Sequence, residues 1–210
     1  MKKIFLIAIA VMFGTLSAWA QFGKWQPAEW QKVIDEQTGV ELTILTDTLI
    51  NDGFIYQTDP MWSYDMKYLM FRSSGRNEKP EMRTSNTYFI EVATGRIIQA
   101  TEGTGGYLAN RSNKLFFSKN ENGKWNMYVM DLQKLFDDAY LGRAKKSQKS
   151  YTTFIGTFPE SKEMGRPGSF CVSSEDDYAY ITVSREGTQE EIDRMTPMLS
   201  SPGMTSLSRP

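Results

Sequence analysis

Residues 59–101 read DPMWSYDMKYLMFRSSGRNEKPEMRTSNTYFIEVATGRIIQAT. Two dense apolar runs stand out, Tyr68-Leu69-Met70-Phe71 and Tyr88-Phe89-Ile90, with a weaker one at Ile97-Ile98. Turn-forming residues punctuate them. Ser63-Tyr64-Asp65 precedes the first run, a polar loop from Ser73 to Arg83 follows it, and Thr94-Gly95 precedes the third. Short aromatic and branched runs bounded by Gly, Ser, Asp and Asn predict strands. The first two runs do not alternate cleanly between apolar and polar, which predicts cover on both faces. A small antiparallel sheet buried on both faces needs a similar sheet on each side.

The unit recurs. Leu108 to Ser118 matches Trp62 to Arg72 about 46 residues on, with Lys114-Leu115-Phe116-Phe117 falling on Tyr68-Leu69-Met70-Phe71. Asn126 to Leu132 then matches Thr87 to Val92, and a third copy begins at Val172-Ser-Ser-Glu-Asp-Asp177-Tyr-Ala-Tyr-Ile-Thr-Val183. A four-stranded unit recurring every ~40–50 residues has the period of a β-propeller blade. The alternative is a sandwich of unrelated hairpins, which does not require a third copy.

The chain starts with Lys2-Lys3, an apolar run from Ile4 to Phe13, and Ala18-Trp19-Ala20. That succession predicts a secretory signal peptide over 1–20, cut before Gln21. A buried helix or an anchor is the alternative, but the apolar run is short for a span of ~20 residues. No later segment has the length and apolarity of a membrane span, and no Cys follows the cut to take a lipid. With 24 basic and 25 acidic residues, two of the basic ones in the leader, the chain lacks the footprint of a nucleic-acid binder. Cys171 is the only cysteine, so no intrachain disulfide is available. Its run Ser169-Phe-Cys-Val172 predicts core filling, and without any histidine in the chain the usual base for activating a thiol is absent.

Residues 21–37 read as an N-terminal arm whose Trp25 and Trp30 tuck into apolar surface; a pair of sugar-stacking tryptophans is the alternative. Thr38-Gly39-Val-Glu-Leu-Thr-Ile-Leu-Thr46 repeats the pattern of Thr94-Gly95-Arg-Ile-Ile-Gln-Ala-Thr101. The arm therefore leads into the outermost strand of a blade whose inner strands come from elsewhere, a way of closing a ring without free edges. Leu132 to Leu141 has the spacing of a short amphipathic helix with Gly142 as its stop, and Tyr151 to Ile155 an outer strand. Residues 38–186 are thus expected to form a partial propeller, all-β, of about three blades. Residues 187–210, rich in Ser, Thr, Met and Pro, read as loop or disordered tail.

Trp62-Ser-x-Asp65-x-Lys67-Tyr68-Leu69-x-Phe71, with Thr94-Gly95-x-Ile97-x-Gln99-x-Thr101, resembles the repeats of TolB-like propellers. Lys24-Trp25, Glu29-Trp30, Asp35 and Thr38-Gly39-Val40 ahead of Leu45-Thr46, leading into Phe54-Ile-Tyr56, resemble the opening of bacterial oligogalacturonate lyases. The resemblance runs from about Lys24 to Glu186 and implies the first part of a seven-bladed ring, hence a truncated or partial chain. One departure concerns the turn. The family repeat has Asp-Gly there, and glycine relieves a left-handed backbone; here the pairs are Asp65-Met66, Arg111-Ser112 and Glu175-Asp176.

The resemblance also implies an activity, the β-elimination of pectin-derived oligogalacturonides, and the expected signal peptide would place it in the periplasm or outside the cell. A base removes the proton beside the uronate carboxylate and the glycosidic oxygen leaves, with a cation stabilising the enolate-like charge. The cation implied is Mn2+, held largely by histidines, with a histidine as base. The chain has no histidine, so neither ligands nor base carry over, and this chain alone is expected to be inactive. The acidic pairs and triplets at Asp137-Asp138 and Glu175-Asp176-Asp177 read as solvated helix and turn. Gly103-Thr-Gly105-Gly106 lacks the Lys of a phosphate loop and reads as a connection between blades. For ligand binding the candidates are Arg76 and Arg83, on the loop between inner strands, and Arg111, because guanidinium groups pair bidentately with carboxylates. An open ring also predicts self-association through an uncovered blade edge. The competing function is a non-catalytic TolB-like propeller that binds an envelope protein or glycan.

Overall fold

A computed structural model describes residues 22–47, 49–76, 85–103, 105–158 and 167–183. The expected signal peptide, the tail from 187 and Arg83 lie outside the described residues. The described residues form twelve strands and one α-helix, and every strand pairing among them is antiparallel. An N-terminal hairpin pairs β1 (Gln31–Ile34) with β2 (Glu41–Ile44). The first four-stranded sheet runs in sequence order through β3 (Asp52–Gly53), β4 (Tyr68–Ser73), β5 (Asn86–Glu91) and β6 (Ile97–Gln99). The second repeats that order with β7 (Tyr107–Leu108), β8 (Lys114–Glu121), β9 (Lys124–Asp131) and β10 (Thr152–Thr157). A second hairpin pairs β11 (Pro167–Val172) with β12 (Ala179–Val183).

The register reproduces the repeat seen in the sequence. Trp62 bridges Leu69 and Leu108 pairs with Leu115, the same step one unit later. In all three copies the N–H at the turn's start donates to the carbonyl five residues on: Ser63 to Tyr68 at 2.9 Å, Ala109 to Lys114 at 3.0 Å, Ser173 to Tyr178 at 2.8 Å. The missing glycine does not abolish the geometry. Met66 and Asp176 adopt left-handed backbone with φ of 59° and 62°. Side-chain bonds hold the chain there: Ser63 Oγ takes the Tyr68 N–H at 3.0 Å, and Ser173 Oγ takes that of Tyr178 at 3.0 Å.

Side chains alternate across β4 and β5, so one sheet serves two cores. Tyr68, Met70, Phe89, Ile98 and Ala100 face the second sheet, where Leu115, Phe117 and Met130 meet them. Phe71, Tyr88, Ile90 and Ile97 fill the other side against Leu45, next to the N-terminal hairpin. Both faces of the first sheet are covered, as its non-alternating runs predict. The helix α1 (Leu132–Tyr140) drops Leu132, Leu135 and Phe136 into the seam between the sheets. Asp131 caps it by accepting the Lys134 N–H at 2.9 Å, and Gly142 follows at φ 67°, the left-handed stop its sequence called for. Phe136 is the keystone, with ring centroids 4.2 Å from Tyr68, 5.3 Å from Phe89 and 5.9 Å from Trp25.

One expectation, at Cys171, needs correction. The N-terminal arm contains strand β1, paired with β2 across the boundary at residue 38. The turn of that hairpin copies the one between β5 and β6. Gly39 N–H donates to Asp35 O at 2.8 Å and Gly95 N–H to Glu91 O at 2.7 Å, with φ of 70° and 73°. The hairpin therefore carries the two outer strands of a sheet, not one. Cys171 is exposed rather than core. It sits opposite Tyr180 in a two-stranded hairpin that has no second layer over that face among the described residues. Trp25 does tuck in, stacked on Tyr68 at 6.1 Å, while Trp30 lies half-exposed across Gly95, where a Cβ would sit 2.8 Å from the indole.

Candidate functional site

Of the expected binding arginines, Arg76 and Arg111 lie in the described residues, and each pairs with a carboxylate of the chain. Arg76 follows β4 on a tight turn in which Ser73 Oγ accepts its N–H at 3.2 Å, and that turn sends the side chain inward. Its guanidinium forks onto Glu29, Nη1 to Oε1 at 2.6 Å and Nη2 to Oε2 at 2.5 Å. Nε and Nη2 also donate to Asp52, at 3.0 and 2.7 Å, and the group lies 5.5 Å from the Phe71 ring centroid. With only 5% of its side chain exposed, Arg76 joins the arm, β3 and the end of β4. Burial alone would lift the Glu29 carboxyl, but hydrogen bonds from Arg76 and the Asp47 N–H, with the Arg76 charge, hold it below its ordinary value.

Arg111 sits on the turn between β7 and β8 and reaches the third repeat. Its Nη2 donates to Glu175 Oε1 at 2.5 Å and its Nε to Ser174 O at 3.1 Å. The Asn110 and Arg111 N–H groups both donate to the Asp176 carboxylate, at 2.6 and 2.8 Å. One unit earlier the Asp65 N–H reaches Asn113 Oδ1 at 3.4 Å. The turns of successive repeats thus hook one onto the next.

A different cation stands apart, and the sequence reading passed over it. Arg72 lies on β4, on the face of Tyr68 and Met70, and crosses to Gly105 and Gly106 ahead of β7. Among the described residues its one hydrogen bond runs from Nη2 to Gly106 O at 3.5 Å, and its buried Nε has no partner. The other four described arginines each pair with a carboxylate: Arg76, Arg96 with Glu91, Arg111, and Arg143 with Asp138. Only its pairing state distinguishes Arg72, and the sequence does not display that.

Acid–base chemistry has little to draw on. Burial, and then the charges of Glu91 and Asp65, push the Tyr68 hydroxyl up to about 12, and burial does the same to Tyr88. Both keep their protons at neutral pH. An open hollow of about 620 Å³ is lined by Phe54, Ile55, Tyr56, Gln57 and Met61, with no carboxylate, lysine or arginine among them.

In class, the chain is an antiparallel all-β protein built on repeated four-stranded sheets. No family model and no curated protein matches it. It is similar to the crystal structure of an oligogalacturonate lyase from Vibrio parahaemolyticus, with a TM-score of 0.53 and 23% identity over 73% of this chain and 35% of that one. It is also similar to an oligogalacturonate lyase in complex with manganese, with a TM-score of 0.53 and 22% identity over 74% and 36% of the two chains. The particular fold is therefore oligogalacturonate lyase-like. The chain spans about a third of the length of those structures.

The manganese belongs to the solved relative. This chain has no histidine, and among the described residues no group of three or more Cys, Asp or Glu converges to hold a metal. The residues present do not fit a manganese site. Among the described residues no helix is long and apolar enough to cross a membrane.

Proposed function

We propose that the sheets are blades of an exported β-propeller of the oligogalacturonate lyase type, and that the chain takes oligogalacturonides as its ligands. The likeness in fold to two such lyases over nearly three-quarters of the chain carries this reading. Two features of the repeats support the ring. Consecutive turns hook together at one end of the sheets. The two hairpins are half-units, β1–β2 matching the outer pair of a four-stranded unit and β11–β12 the inner pair of the third; in a ring β1–β2 would take its inner strands from the last blade.

In β-elimination the proton at C5 of the uronate goes to a base, the C4–O bond breaks, and an unsaturated end forms. No group described here fits the base or the metal, so this chain's share of that chemistry is scaffold and ligand binding. Calorimetry with trigalacturonate, followed by ultraviolet detection of the unsaturated product with and without manganese, tests it. Binding without turnover is expected; turnover would show that a base is present, and failure to bind any oligogalacturonide would overturn the reading. A second reading, favoured if the other blades of the ring lack histidine, is a TolB-like propeller that binds an envelope protein or a glycan. Tight binding of a neutral glycan in the same calorimetric series would select it.

A further inference from the structure

We infer that Arg72 is a carboxylate-binding group, the point at which the chain grips one uronate of its ligand; the inference rests on the oligogalacturonide reading above. Strand β4 delivers Arg72 on the face whose apolar residues end at Met70, so the guanidinium emerges where the core between the two sheets gives out. There it lies against the backbone of Gly105. A Cβ at that residue would stand 3.1 Å from both Cζ and Nε, so a side chain there would push the guanidinium aside by a few tenths of an ångström. Gly106 is glycine for a separate reason, since its Cβ would strike Leu115 Cγ at 2.6 Å.

Held this way, the guanidinium is poorly served by the protein. Nε is out of reach of water and unpaired, and Nη2 has a single bond at the outer limit of length. Among the described residues Nη1 has no hydrogen-bond partner, and the side chain is half-buried. Leaving a buried donor unpaired costs about 1–3 kcal/mol, more when it is charged. Every other described arginine avoids that cost with a carboxylate of the chain. Arg72 has none, and it keeps its Nη1 edge free for a carboxylate brought from outside. The planar fork matches such a group with two parallel bonds, which an ammonium cannot do. A galacturonate carboxylate has this chemistry; its methyl ester does not.

The test measures binding of trigalacturonate, its methyl ester and a mannuronate trimer to the intact chain and to Arg72→Gln, Arg72→Lys and Gly105→Ala. Arg72→Gln is expected to weaken trigalacturonate binding about tenfold to a hundredfold. Arg72→Lys should fall between, and Gly105→Ala should weaken binding several-fold by displacing a guanidinium that is still charged. The methyl ester should not distinguish intact chain from Arg72→Gln. If Arg72→Gln does not fold, the Lys and Gly105 variants decide. Equal trigalacturonate affinity for all four proteins overturns the assignment and leaves the oligogalacturonide reading standing. Binding of the mannuronate trimer alone, lost in Arg72→Gln, keeps the site and removes the galacturonate reading. Binding of no carboxylated trimer removes both.

Discussion

Arg76 and Glu29, 47 residues apart, meet through two parallel hydrogen bonds of 2.6 and 2.5 Å, and Asp52 takes the remaining edge of the same guanidinium. The group is buried, so removing it strands two carboxylates beside each other. Arg76→Met should cost about 3–5 kcal/mol of unfolding free energy in a urea titration. Glu29→Gln leaves Arg76 its bonds to Asp52, and 24% of the Glu29 side chain is exposed, so its cost should be smaller, about 1 kcal/mol.

The same pair shapes the response to acid. Glu29 has a folded-state value below its unfolded value. Its contribution is therefore complete above about 4.3, the ordinary Glu value, and is lost as pH falls through the lower folded value. Thermal melts of intact chain and Glu29→Gln should converge in that acid window and separate above it. A constant gap down to the lowest pH would contradict the linkage.

Met66 and Asp176 hold equivalent left-handed places in their turns but should answer glycine oppositely. Met66 is largely exposed, so Met66→Gly relieves backbone strain and should stabilise by about 0.5–1 kcal/mol. Asp176 accepts the N–H groups of Asn110 and Arg111, so Asp176→Gly strands two donors and should destabilise by about 1–2 kcal/mol. Opposite shifts in melting temperature are the expected reading.

Phe136 joins the helix to the first sheet and to the N-terminal arm. It is 1% exposed and touches three other aromatic rings. Phe136→Ala should cost about 3–5 kcal/mol and loosen the seam, seen as lost near-ultraviolet circular dichroism before the strands melt.

Val33, Ile34, Val40 and Leu42 on one hairpin, and Tyr178 and Tyr180 on the other, are exposed. Uncovered strand edges with apolar faces favour pairing between copies. Sedimentation velocity should show association that rises with concentration and falls in Val33→Lys. A concentration-independent monomer would speak against free edges.

Much of the sheet order was legible because it is local. The runs at 68–71 and 88–90, the repeat at Leu108–Ser118, the helix at Leu132 and the Gly142 stop all carry their signal within a few residues. The first half of the N-terminal hairpin was missed because Gln31-Lys32-Val33-Ile34 is exposed and has no buried face to advertise. A signal did exist: Asp35-x-x-Thr38-Gly39 copies Glu91-x-x-Thr94-Gly95, and a strand precedes the latter. The arginines were harder. Arg76 reads as a loop cation until Glu29 and Asp52 arrive from 47 and 24 residues away. Arg72 reads as the polar end of a strand until Gly105 shows what it lies against. Cys171 misled because an apolar run indicates burial only where a second layer exists.

The hooked turns have a consequence for how such a chain could grow. Each grips its successor through backbone N–H groups and a carboxylate or amide, a grammar indifferent to most side chains. A duplicated segment inserted after the first sheet would find its docking partner ready-made on either side. Lengthening the molecule by whole units should therefore be tolerated where inserting half of one is not.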